Sequence, residues 1–243
     1  MLALSVTETD PWAALRAARA QERKTLDEPS GKAILASFGI RVPAFRVVRS
    51  NGDLDAIKGE LRPPFVLKVV SAEVVHKSEF GAVKVGLKDE FELNSALDAM
   101  RATLEGRGIR ADCWMVEEMV PAGLECVIGG VIDPEFGPMV MVGLGGILVE
   151  LMGDVAFRIC PIEKADAVEM LRELRGVALF SGARGREPAS FDALVDALLK
   201  VGGKNGVLMG CADAVSEIDV NPIIVTRDAA IAVDARFILT PLA

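Results

Sequence analysis

Residues 124–144, LECVIGGVIDPEFGPMVMVGL, restrict the possible folds more than any other stretch. Two runs rich in β-formers flank Asp133-Pro134-Glu135-Phe136-Gly137. Asp and Pro at the start of that turn and Gly at its end supply turn chemistry, so the runs read as a hairpin. Hairpin strands are antiparallel, which argues against a doubly wound, all-parallel sheet. Strands are also expected in GIRVPAFRVV, PPFVLKVV (63–70), GAVKVGL (81–87), CWMVEEMV (113–120), VSEIDVNPIIVT and AAIAVDARFIL. Helical spacing is read at 27–38, 52–60, 89–106, 163–175 and 189–201, and residues 1–20 read as a tail or short helix. The segment with Asp154 and Arg158 is expected to be a loop. The pattern gives an α+β protein with mostly antiparallel sheets flanked by helices.

Composition narrows the function. A net charge of −8 argues against a nucleic-acid binder, which needs clustered Lys and Arg. The cysteines at 113, 126, 160 and 211 form no CxxC, and with one histidine they offer no zinc set. They are expected to be free thiols in a cytoplasmic protein. The N-terminus lacks the charged-then-apolar order of a signal peptide. The most apolar run, GPMVMVGLGGILVELMG, is short, glycine-rich and carries Glu150, so no membrane span is expected.

Four constellations can carry chemistry. Lys68 lies inside the apolar strand FVLKVV, where its ammonium needs an anion or a path to water. The segment between that strand and residues 81–87 is too long for a tight turn, holds the single histidine, His76, and ends in Gly81-Ala82, small residues whose amides can approach an anion. Lys84 follows, so two lysine-bearing strands with a small-residue loop between them suggest a phosphate clamp. No Walker A motif is present, and GLGG at 143–146 is a weak signal alone. VEEMVPAGLE (116–125) is either a solvated turn or a set of backbone and carboxylate groups for a base and a ribose. In SEIDVNPIIVT the period of two puts Glu217, Asp219 and Asn221 on one face and Ile218 and Val220 into the core. Three oxygen ligands suit a hard cation, the alternative being an acidic outer face. Asp234, in IAVDARF, can lie beside Asn221 if the last two strands pair.

Together these segments resemble an ATP-grasp domain, and most of all the β subunit, or fused equivalent, of the ADP-forming (NDP-forming) acyl-CoA synthetases, which include ADP-forming acetate–CoA ligases. The likeness runs through SGKAILASFGIRVP, FVLKVVSAEVVHKSEFGAVKVGL, MVEEMVPAGLECVIGG, DPEFGPMVMVGLGGILVE, DVAFRICPI, ARG at 183–185 and EIDVNPIIV. Succinyl-CoA synthetase β subunits are more distantly similar, through the closing NP…D arrangement.

The resemblance implies a two-lobed ATP-grasp fold with ATP between the lobes. Residues 46–118 would form the smaller lobe; 21–45 with 119–243 would form the lobe with the Mg2+ and phosphate site. Lys68 would hold nucleotide phosphates, and Gly81, Ala82 and Val83 would form the phosphate loop. Glu117, Glu118, Met119 and Val120 would line the adenine site, and Glu125 would meet the ribose. Asn221 and Asp234 would hold Mg2+, Asp219 would stand near the transferring phosphoryl group, and Arg158 would reach the phosphates. His76 of the HKS motif would be a phosphoryl carrier.

The family reaction is acyl-CoA + ADP + phosphate ⇌ carboxylate + CoA + ATP. This chain departs from the pattern at Ala82, where a second glycine is usual, and it has no CoA-binding Rossmann domain and no second histidine. A separate CoA-binding α subunit carrying the primary phosphohistidine is therefore expected, in a heterotetramer, with ATP or ADP and Mg2+ as cofactors. The competing readings are a regulatory ATP-binding module without turnover and another ATP-grasp carboxylate ligase.

Overall fold

A computed structural model describes residues 10–57, 59–71, 81–145, 153–182 and 187–241. In chain order the elements are helix α1 (Ala13–Ala20), α2 (Glu28–Ser37), strand β1 (Phe45–Val48), a 3-10 segment (Asn51–Ile57), β2 (Phe65–Val70), β3 (Val83–Leu87), α3 (Glu90–Gly106), β4 (Cys113–Glu118), β5 (Leu124–Asp133) and β6 (Gly137–Leu144). These are followed by β7 (Val155–Ile159), α4 (Lys164–Glu173), a second 3-10 segment (Val177–Ser181), α5 (Phe191–Gly202), α6 (Val207–Cys211), β8 (Val215–Val225), β9 (Ala230–Ala232) and β10 (Arg236–Leu239). The chain forms two compact units, Pro43–Pro121 and Met1–Val42 with Ala122–Ala243.

The smaller unit is a four-stranded antiparallel sheet in the order β1-β4-β2-β3. Helix α3 starts where the Asp89 carboxylate accepts the Glu92 amide at 2.8 Å while Glu92 accepts the Lys88 amide at 2.9 Å. Together the two bonds satisfy amides that lack helical partners. Its Leu93, Leu97, Met100 and Leu104 recur at helical spacing and are buried with Leu67, Val69 and Val116 of the sheet. One face of this sheet is thus core, and the alternate residues Val66, Lys68 and Val70 occupy the other.

The larger unit holds the order β10-β8-β5-β6-β7, with β9 also on β8. The hairpin expected at 133–137 joins β5 and β6, whose register runs from Asp133 opposite Gly137 to Cys126 opposite Leu144. Ile218, Val140 and Val142 are buried under the helices: a side chain at Gly130 would strike Leu208 of α6, and one at Gly202 of α5 would strike Val140. Helix α2 is capped by Asp27, which accepts the Ser30 amide at 3.0 Å, and Gly39, at φ +77°, turns the chain after it. Gly31 packs on the Ala235 carbonyl and the Phe237 ring, fixing α2 against the start of β10.

Three expectations are revised. The segment with Arg158 is strand β7, paired with β6, because its alternating residues complete the sheet edge. AAIAVDARFIL is not one strand but two, β9 and β10, each pairing with β8, with Asp234 in the gap between them. Where a helix is expected at 52–60, Asn51–Ile57 form a short 3-10 segment that ends before residue 58.

Candidate functional site

Strand β8 builds the chemical face of the larger unit. Ile218 and Val220 are buried, and Glu217, Asp219 and Asn221 occupy the other face. The pattern then changes parity: Ile223 and Val225 are the buried residues beyond Pro222. The cause is a bulge. Ile128 of β5 pairs with Val220 but Cys126 pairs with Ile223, so β8 carries one extra residue at Asn221–Pro222. A proline in a central strand is tolerated at such a bulge, and the bulge re-aims its neighbours.

On the other side of β8 the register continues without a shift. Ala232 stands opposite Ile223 and Arg236 opposite Asp219, which sets Asp234 opposite Asn221. The intervening turn is held by the Val233 amide donating to the Pro222 carbonyl at 3.1 Å and the Ala235 amide donating to Asp234 Oδ1 at 2.8 Å. The sheet thus brings together Asp219, Asn221 and Asp234, three of the residues expected in the site.

Electrostatics mark the same place. The Asp219 carboxyl is held above the usual range, first by burial, then by the negative charges of Glu217 and Asp234, with Arg236 opposing them. The side chains of Glu217, Asp219 and Asn221 make no hydrogen bond or ion pair with described residues. Half-buried carboxylates without protein partners are poised for a cation. Among the described residues no three acids, histidines or cysteines converge tightly enough to cage a metal alone. A few oxygen ligands, with water and phosphate completing the shell, is the Mg2+ pattern, so the donor set fits that ion. Beside Asp219 lies a cavity of about 160 Å³ lined by Gly129, Met141 and Phe157. Glu125 is exposed on the same face of β5, four residues from Gly129 or about 13 Å by strand rise.

In the smaller unit Lys68 Nζ lies 3.0 Å from Glu117 Oε2, both side chains almost wholly buried. Lys68 is central: it pairs with Met115 on one side and Val83 on the other. Glu117 pairs with Val66, so it shares the face of Lys68 and reaches it diagonally. Gly81 needs its positive φ of +65° to turn into β3. The Ala82 methyl is sealed in the α3 side of the core, and the Ala82 carbonyl accepts the Val69 amide at 3.0 Å.

The remaining expected residues are set by their own strand pairings. Glu118 pairs with Phe65 on the core side, and its Oε1 accepts the Arg62 amide at 2.9 Å. The Met119 amide donates to the Pro64 carbonyl at 2.8 Å and its side chain is exposed, while Val120 follows it half-buried. Lys84 pairs with the core residue Leu67, so the register puts it on the face opposite Lys68 and the two-lysine clamp does not form. Arg158 pairs with Val140 on the helix-covered face, opposite Asp219, and binds Glu173 of α4, with Glu169 at 4.0 Å. Gly143 serves close strand packing, since a side chain there would strike Val155. His76 and residues 183–185 lie outside the described residues. Arg236, opposite Asp219, was absent from the expected site, although its spacing of two from Asp234 was a usable signal.

The fold and the sequence are shared with known proteins. The profile of the ATP-grasp domain matches residues 17–239. The β subunit of acetate–CoA ligase [ADP-forming] I of Pyrococcus furiosus is 42% identical over 220 residues, 90% of this chain and 93% of that one. Acetate–CoA ligase [ADP-forming] I of Archaeoglobus fulgidus is 38% identical over 86% of this chain but only 30% of its own length, so there the matching segment is part of a longer polypeptide. A structure of the dinucleotide forming acetyl-coenzyme A synthetase 1 of Ca. Korarchaeum cryptofilum matches 95% of this chain and all of that one, at 36% identity and a TM-score of 0.82. That structure is described as a complex with coenzyme A and Mg-AMPPCP, its phosphohistidine segment pointing towards the nucleotide-binding site.

Proposed function

The chain belongs to the ATP-grasp domain family, and on that premise we propose that it is the nucleotide-binding subunit of an ADP-forming acyl-CoA synthetase. The observation that carries this reading is the unpartnered Asp219 beside Asn221 and Asp234, an oxygen-rich face suited to Mg2+ and a transferring phosphoryl group.

Lys68, held in place by Glu117, binds the nucleotide phosphates as a fixed positive charge. The amides of Gly81, Ala82 and Val83 contribute donors to the same phosphates. Glu118, Met119 and Val120 line the base and Glu125 accepts from the ribose. Asn221 and Asp234 hold Mg2+, which when bound neutralises phosphate charge. His76 accepts the phosphoryl group: the donor's P–N bond breaks as a P–N bond to His76 forms. That bond then breaks as an ADP β-phosphate oxygen attacks, giving ATP. Splitting the transfer relays the group between separated sites.

The donor is a phosphohistidine on a separate CoA-binding α subunit: there phosphate displaces CoA from acyl-CoA, and the P–O bond of the resulting acyl phosphate breaks as the P–N bond to that histidine forms, releasing the carboxylate. The subunits assemble as a heterotetramer in the cytoplasm. What supports a separate partner is that this chain spans 93% of a relative named as a β subunit and 30% of a longer one.

The test combines the chain with its CoA-binding partner, acyl-CoA and labelled phosphate. Acid-labile, base-stable label is expected on His76, and His76→Ala retains nucleotide binding but forms no ATP. Normal turnover by that variant would overturn the relay. Nucleotide binding without transfer beside any such partner would leave a binding module.

A further inference from the structure

We infer that Arg236 is a ligand for the terminal phosphoryl group at the Asp219 face, an inference that rests on the nucleotide site proposed above. Arg236 opens β10 directly opposite Asp219, and paired residues of an antiparallel ladder project to the same side. The register extends this face across the sheet through Asp219, Gly129, Met141 and Phe157, with Glu217, Val131, Met139 and Ile159 in the next row. Among these described positions Arg236 is the basic one.

The plain alternative is a guanidinium that balances the acids around it. A balancing arginine this close to Asp219 would form an ion pair, as Arg158 does with Glu173 on the opposite face. Arg236 makes no hydrogen bond or ion pair with described residues, although it is half-buried. Guanidinium donors withdrawn from water need acceptors. Once a divalent cation occupies the Asn221 and Asp234 oxygens, the acids are neutralised and the acceptor left for Arg236 is an oxyanion on the ligand. Its planar fork matches two oxygens of a phosphoryl group, which Lys cannot reproduce.

A residue that grips only the terminal phosphoryl group separates ATP from ADP. Isothermal titration of the full chain with Mg-ATP and Mg-ADP tests this in Arg236→Gln and Arg236→Lys. The glutamine variant is expected to bind ATP about ten- to a hundredfold more weakly than the native chain, with ADP affinity within about threefold. The lysine variant keeps the charge and falls between, which also covers failure of the glutamine variant to fold. Equal loss of both nucleotides, or loss of neither, would overturn the assignment while leaving the nucleotide site intact. Failure of the native chain to bind either nucleotide would instead overturn the site itself.

Discussion

Lys68 and Glu117 are joined by a 3.0 Å ion pair on the face of the small sheet opposite its core, with side chains 8% and 2% exposed. Two buried charges attract strongly, but each has lost its hydration, so the pair adds little stability over an apolar one. Removing one partner is different, because the other keeps its buried charge and loses its 3.0 Å counter-ion. Glu117→Leu is therefore expected to cost about 3–5 kcal/mol in denaturant unfolding. Lys68→Met with Glu117→Leu together should recover most of that loss while nucleotide affinity stays low. A double variant as unstable as the single one would show that the pair itself holds the sheet.

Asp234 stands opposite Asn221 because β9 and the Arg236–Ile238 part of β10 keep one register on β8. If these two oxygens hold Mg2+, Asp234→Ala should raise the Mg2+ concentration needed for tight ADP binding by at least about tenfold, the lower end of what even outer ligand partners cost. ADP affinity in metal-free buffer should not move. Calorimetry at a series of Mg2+ concentrations separates the two, and an unchanged Mg2+ requirement would remove Asp234 from the metal site.

The face of β8 was legible because a period of two is a local property of the chain. Glu217, Asp219 and Asn221 lie on it as read, and the hairpin at 133–137 joins β5 and β6. The bulge at Asn221–Pro222 was not legible, since it exists only relative to β5. The break of the last strand around Asp234 escaped for the same reason: Ala230–Ala232 and Arg236–Leu239 are separated by a turn held to Pro222. Arg158 and Lys84 each carry a suitable charge in a suitable segment. Which face each takes is decided by pairing with Val140 and Leu67, a tertiary fact that no local pattern encodes. Glu117 read as an adenine-side residue, and its ion pair with Lys68 required the β2–β4 register.

Asp219 gives the face a pH signature. Its carboxyl titrates above the ordinary range in the folded chain, through burial and then Glu217 and Asp234. The folded chain therefore holds the proton more tightly than the unfolded one. The stabilising effect of that proton is fully present below the unfolded pKa and is lost as pH rises through the folded pKa. Asp219→Asn, a permanent neutral mimic, should raise the melting temperature at pH 7 in metal-free buffer and change it little near pH 3. A variant less stable than the native chain at pH 7 would show that the Asp219 charge has a partner in the folded state.

Arg158 supplies the converse test. The Glu173 carboxylate beside it, with Glu169 further off, holds the guanidinium pKa above its usual value, and its strand turns it toward α4, away from Asp219. Its partners are largely exposed, so the ion pair adds little to stability. Arg158→Met is expected to lower stability only slightly and to leave Mg-ATP affinity within about twofold, since uninvolved surface changes are nearly neutral. Glu173→Gln should match it in unfolding experiments, because both remove the same pair. A large loss of ATP affinity in Arg158→Met with none in Glu173→Gln would return Arg158 to the phosphate site, and would require β7 to leave the register it keeps with β6 when nucleotide binds.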